Sequence, residues 1–150
     1  MKLSAILLYL NFGLSSATVL SPTPAPSTGT LTVNLSNFRN DKGNAVVELF
    51  YGEKGFPKLP ERALKIIYVP IKAKRATAIF ENLPPGEYAV SVYHDENNNR
   101  KMDTNFFGIP KEGVGASNNA RGHFGPPMYS DAKFNFNGGS LSLNINITYL

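Results

Sequence analysis

The chain has 150 residues, with 15 Lys and Arg against 11 Asp and Glu, two His, and neither Cys nor Trp. The missing Cys excludes disulfides and a lipid-modified N-terminal Cys, so the fold must hold together without covalent cross-links. The formal net charge of +4 is uneven: seven basic residues and one acid lie between Lys54 and Arg75, leaving the remainder slightly acidic.

Met1-Lys2 is a short positive start, Leu3 to Leu14 is largely apolar, and Ser15-Ser16-Ala17 supplies small residues. That order is the n-region, h-region and cleavage site of a secretory signal peptide, residues 1–17. The apolar run falls short of the roughly 20 residues that a membrane-spanning helix needs. Residues 18–29, with Pro22, Pro24 and Pro26 among Ser and Thr, read as an extended linker with nothing to bury. One domain, residues 30–150, follows, within the usual single-domain size.

Leu31, Val33 and Leu35 alternate with polar residues, the period of a half-buried strand. Asn40 to Asn44 is turn chemistry, and Ala45 to Tyr51 reads as the returning strand. Gly52 to Pro60 is a surface loop, with room for one helical turn before Leu64. Leu64 to Ile71 and Ala76 to Phe80 are the next strands, joined by the basic turn Lys72-Ala73-Lys74-Arg75. Leu83-Pro84-Pro85-Gly86 interrupts the ladder, because proline has no N–H to donate. Tyr88 to His94 then forms a strand with Tyr88, Val90 and Val92 on one face. Glu96 to Ser130 has no evident strand or helix, yet it carries too many apolar groups for disorder. It reads as an ordered loop packed by its own aromatics, and Phe106, Phe107, Phe124 and Tyr129 are its candidate ligand-binding residues. Asp131 to Phe136, the hairpin signal Asn137-Gly138-Gly139 and the alternating Leu141 to Tyr149 close the chain. The pattern predicts an all-β fold, a single seven-stranded antiparallel β-sandwich with one long ordered loop.

His94 to Asp103 organises this plan. Asp95, Asn97, Asn99 and Asp103 bring side-chain oxygens to one short turn, and Lys101 adds a backbone carbonyl. A hard cation such as Ca²⁺ takes about 6–8 oxygen ligands, and the spacing follows the start of the EF-hand loop. The match ends at Arg100, where that loop has Gly, and at Phe106, where it has a bidentate Glu. Remaining ligands have to come from further along, with Glu112 and Asp131 as the anionic candidates. Two carboxylates imply the weak affinity of extracellular calcium modules, Kd about 10⁻⁴–10⁻³ M. The competing reading is a metal-free Asn-rich turn, since Asn and Asp favour turns unaided. His94 is expected to be a packed strand-end residue.

The run HDENNNRKMDTNFFGIPKEG, residues 94–113, together with Leu83-Pro84-Pro85-Gly86-Glu87-Tyr88-Ala89-Val90, resembles an uncharacterised family of exported bacterial proteins, a domain of unknown function. The resemblance spans about Thr30 to Leu150. It implies a small periplasmic or secreted β-sandwich related to immunoglobulin-like and prealbumin-like domains, with no established activity to carry over. It also implies Gly at the place of Arg100 in most members.

Three functional classes follow. The first is an exported, non-catalytic binding or structural module, a monomer whose long loop is ordered by Ca²⁺ and contacts a glycan or an envelope protein. The second is a cell-envelope protein that meets anionic glycan or lipid through residues 54–75, with Lys72, Lys74 and Arg75 as its basic patch. The third is a metal-dependent enzyme using His94 and His123 with Asp95 and Glu112. It has the least support, because no nucleophile–base spacing or catalytic metal motif is present. Nucleic acid is not an expected partner of an exported chain.

Overall fold

The computed structural model describes residues 27–150. The expected signal peptide, residues 1–17, and residues 18–26 of the expected linker lie outside the described residues. Eight strands are present among the described residues: Gly29–Ser36 (β1), Asn44–Tyr51 (β2), Lys65–Pro70 (β3), Ala76–Leu83 (β4), Gly86–Asp95 (β5), Val114–Ala116 (β6), Phe134–Phe136 (β7) and Gly139–Asn146 (β8). One short helix, Tyr129–Ala132 (α1), precedes β7.

The strands form two open sheets. One has the order β4-β1-β8, and the other β3-β2-β5-β6, with β7 also pairing β5. Alternation drives this arrangement, because successive side chains of a strand point to opposite faces. Leu31, Val33 and Leu35 of β1 enter one core with Val47 and Leu49 of β2 and with Tyr88, Val90 and Val92 of β5. The other face of β1 is wet and hydrogen-bonded. Asn34 Nδ2 donates to Ser142 Oγ at 3.0 Å, and Ser36 Oγ donates to Asn146 Oδ1 at 2.8 Å.

The expected strand count and pairing both change. Val114–Ala116 pairs with Ser91 to Tyr93 as a further strand, too short and too Gly-flanked for periodicity to reveal. Asn137 and the two glycines after it do not close a hairpin. The chain instead leaves β7 beside β5 and crosses to the other sheet, where β8 runs parallel to β1 from Gly29↔Gly139 to Ser36↔Asn146. A turn sequence fixes a local reversal and not the partner of the strand that follows. Asp131, expected to open a strand, lies in α1, and Gly29, assigned to the linker, begins β1.

The central strand β5 supports the site. From Tyr88 to Asp95 it is buried without interruption, with Tyr88, Val90, Val92 and His94 on one face and Ala89, Ser91, Tyr93 and Asp95 on the other. The second face is covered by a smaller apolar cluster of Ala89, Ala116, Tyr129 and Ala132, with Phe56 and Ala120 against it. Ser117 joins β5 to α1: its hydroxyl accepts the Val90 N–H at 2.9 Å and donates to the Ala132 carbonyl.

Candidate functional site

His94 fixes the end of β5. It is fully enclosed, and Nε2 is 2.7 Å from the Lys42 carbonyl, so Nε2–H donates there. Nδ1 lies 2.8 Å from the Tyr149 hydroxyl, which also accepts the Arg39 N–H at 3.0 Å. In the neutral ring, Nδ1 accepts the Tyr149 O–H. Phe38 packs edge-on against the imidazole, centroids 5.1 Å apart. The turn before β2 closes over the same point. Gly43 has φ +64, and a Cβ there would stand 1.8 Å from the Asp95 carbonyl oxygen, so no side chain fits.

Asp95 is the first residue past this clamp, and it is buried. Its Oδ1 accepts the Asn99 N–H at 3.1 Å, and its Oδ2 accepts the Arg100 N–H at 2.8 Å. Asp103 closes the turn from the other side. Its Oδ2 accepts from Asn97 Nδ2 at 2.7 Å, and its Oδ1 accepts from Asn99 Nδ2 at 3.0 Å. The two Asn oxygens accept backbone N–H groups two residues on, at Asn99 and Lys101. Each is an Asx-turn, the local bond that makes Asn a turn former. Asp95, Asn97, Asn99 and Asp103 thus converge on one turn. Arg100 takes φ +60 and Asn98 φ +59, a left-handed pair. At the position where a calcium loop has Gly, the backbone has the Gly conformation and Arg carries its cost. The Arg100 guanidinium lies 5.5 Å over the Tyr68 ring, which pulls its side chain away from the turn.

Glu112 plays a different part. It is buried, and its two oxygens accept the N–H groups of Glu96 at 3.0 Å and Asp103 at 3.1 Å. Those residues are the entrance and exit of the turn, so Glu112 pins its two ends together. Asp131 lies in α1, where its carboxylate meets Ser130 and its carbonyl accepts from Asn118. Among the described residues, no three His, Cys, Asp or Glu side chains form a metal-holding group. A cation in the turn would therefore rest on Asp95 and Asp103 plus amide and carbonyl oxygens. That donor chemistry is all oxygen and fits a hard ion. Filling the site would require the Asn97 and Asn99 amides to release Asp103.

The expected long loop is two excursions divided by β6. The first ends in a narrow arm. Lys111 N–H donates to the Asp103 carbonyl and Asn105 N–H to the Ile109 carbonyl, both at 2.8 Å, with Thr104 bridging Pro110 between them. Phe106 and Phe107 stand at its tip, 97% and 82% exposed, where packing within the loop was expected. Phe124 is also fully exposed, in the second excursion. Tyr129 alone packs. It is buried, and its hydroxyl donates to Glu87 Oε1 at 3.2 Å, so it serves the small core and is not displayed for a ligand. Burial, and then that hydrogen bond, raise its pKa to about 12.

The basic region separates. Lys72, Lys74 and Arg75 gather on the exposed β3–β4 turn, where Asp41 accepts the N–H groups of Ala73 and Lys74 at 2.9 and 2.7 Å. Lys54, Lys58 and Arg62 precede β3 and lie at its far end, roughly 20 Å away at strand rise. His123 is exposed in the second excursion, whereas His94 is enclosed with both nitrogens engaged. One buried acid escaped the sequence reading. Glu48 faces the outer side of β2 between Val46 and Phe50, and burial raises its pKa to about 7. A Glu inside Ala45-Val46-Val47-Glu48-Leu49-Phe50 is the signal that both faces of that strand are covered.

Fold and site together define an all-β domain of two open sheets carrying an Asp/Asn turn at the end of its central strand. The chain belongs to the family described as "Uncharacterized protein conserved in bacteria (DUF2141)", whose model matches residues 33–144. No curated protein and no solved structure matches the chain. No described helix is long and apolar enough to cross a membrane.

Proposed function

We propose that this protein is an exported, non-catalytic binding module in which Ca²⁺ orders the turn at 95–103 and so stiffens the arm beyond it. One observation carries the reading: four oxygen-bearing side chains, Asp95, Asn97, Asn99 and Asp103, meet across a turn that has the left-handed backbone of a calcium loop at Arg100. Asp95, Asn97, Asn99, the Lys101 carbonyl and Asp103 would hold the ion, and Glu112 would brace them from beneath. The ion would supply charge neutralisation and rigidity, with no reaction at the site. Export accords with the leader-like residues 1–17. An immunoglobulin-like or prealbumin-like sandwich accords with two sheets around a common core.

Binding to the native state alone stabilises by RT ln(1 + [L]/Kd), about 2.7 kcal/mol at a hundredfold excess over Kd. Melting in Ca²⁺ against chelator is therefore expected to show a higher midpoint with the ion. Asp95→Asn and Asp103→Asn are each expected to abolish most of that difference. Equal midpoints for the wild type would leave a purely hydrogen-bonded Asn turn.

A further inference from the structure

Most exposed apolar residues in soluble proteins are scattered, and singly they mean little. The arm differs because it gathers Phe106, Phe107 and Ile109 on a projection about three residue pairs long, with Met102 just before its base, all four exposed. At strand rise this is about 10 Å of reach beyond the Asp103–Lys111 base. The two Phe rings pack edge to face, centroids 5.5 Å apart.

Two further observations decide what such a tip fits. The first is that three of its backbone N–H groups, those of Phe107, Gly108 and Ile109, are satisfied from within. Asn105 Oδ1 accepts the N–H groups of Phe107 at 2.9 Å and Ile109 at 3.0 Å, and the Asn105 carbonyl accepts the Gly108 N–H at 3.0 Å. Gly108 makes the reversal with φ +75. A tip entering hydrocarbon must bring its hydrogen bonds with it, because none are offered there. The second is charge. Exposed Lys101 and Lys111 flank the arm, while the carboxylates at its base are engaged, Asp103 by Asn97 and Asn99 and buried Glu112 by the N–H groups of Glu96 and Asp103. Apolar tip and cationic collar together match a bilayer with anionic headgroups.

We propose that the 102–111 arm is a membrane-docking tip that seats Phe106 and Phe107 in the interface of a lipid bilayer while Lys101 and Lys111 meet anionic headgroups. The tip's hydrogen bonds involve neither Asp95 nor the Asp103 carboxylate, so the arm can act whether or not the turn holds Ca²⁺. A bound ion would add positive charge at its base.

Co-sedimentation with phosphatidylcholine vesicles, with and without phosphatidylglycerol, tests this. Wild-type protein is expected to partition onto the mixed vesicles. Phe106→Ser with Phe107→Ser is expected to lower partitioning about tenfold or more. Lys101→Gln and Lys111→Gln are each expected to cost about fivefold on anionic vesicles and little on neutral ones. Phe124→Ser is expected to change nothing. The chain has no Trp, so Phe107→Trp gives a single reporter whose emission is expected to shift to the blue on binding. Binding that is equal in Ca²⁺ and chelator would support an arm that acts independently of the turn's cation, which the melting experiment tests separately. Wild-type protein that stays in the supernatant in both conditions would overturn the proposal. So would vesicle binding that survives loss of both Phe rings, or self-association through them without vesicle binding.

Discussion

Glu48 is the residue at which this fold works against itself. Its carboxyl lies buried on the outer face of β2, and burial raises its pKa from 4.5 to about 7. The native state therefore holds a proton there that the unfolded chain releases. Between about pH 4.5 and pH 7 the native state binds more protons, so stability falls as pH rises, by a total of about 3 kcal/mol. Glu48→Gln is expected to remove this slope, raising the midpoint at pH 8 and leaving it nearly unchanged at pH 4. Parallel melts across pH check it, and an unchanged slope would mean that another group titrates. Arg100 is a second strained residue. A left-handed φ costs a side-chain-bearing residue about 1–2 kcal/mol, and its stacking over Tyr68 returns about 0.5 kcal/mol. Arg100→Gly is expected to stabilise the protein by up to about 1 kcal/mol in chelator, and by more in Ca²⁺ because a positive charge leaves the turn.

At the scale of elements, the turn at 95–103 is held by one carboxylate bridging its two ends. Glu112→Gln keeps one acceptor oxygen and sets an NH₂ group against the other backbone N–H. Losing one such bond and stranding its donor is expected to cost about 1–3 kcal/mol. Hydrogen exchange is the measurement: the amides of Glu96 and Asp103 should speed up together, while those of Phe107 and Ile109, closed by Asn105, should not. Protection retained at both Glu96 and Asp103 would remove Glu112 from this role. The partnership was only half legible in the sequence. Asp95, Asn97, Asn99 and Asp103 are local, and their spacing foretells that they meet. Glu112 reads as a candidate ligand because spacing names anions without saying which backbone groups will approach them. The strands show the same division. Leu31, Val33 and Leu35 announce their face by alternation, but β6 has three residues and no period to read. The outward turn of Phe106 and Phe107 was likewise hidden, since aromatic composition is the same for a packed loop and a displayed one.

Across the whole molecule, the clamp on His94 and Gly43 makes the end of β5 rigid, and everything beyond it depends on the turn. Two contacts from distant chain segments meet there, Lys42 from the β1–β2 connection and Tyr149 from beyond β8. A ligand placed on such a support loses less entropy on binding than one on a free loop. The same reasoning separates the basic β3–β4 turn from the site. Lys72, Lys74 and Arg75 lie on another connection, and their replacement by Gln is expected to leave any calcium response intact, as melting in Ca²⁺ and chelator would show. Cation binding in the turn requires the Asn97 and Asn99 Nδ2 groups to release Asp103, freeing its carboxylate for the ion. An NMR titration of ¹⁵N-labelled protein with Ca²⁺ observes those groups directly. The side-chain amides of Asn97 and Asn99 and the backbone amides of Arg100 and Lys101 should shift along one binding curve, saturating in the millimolar range. Signals that stay fixed through millimolar Ca²⁺ would contradict it.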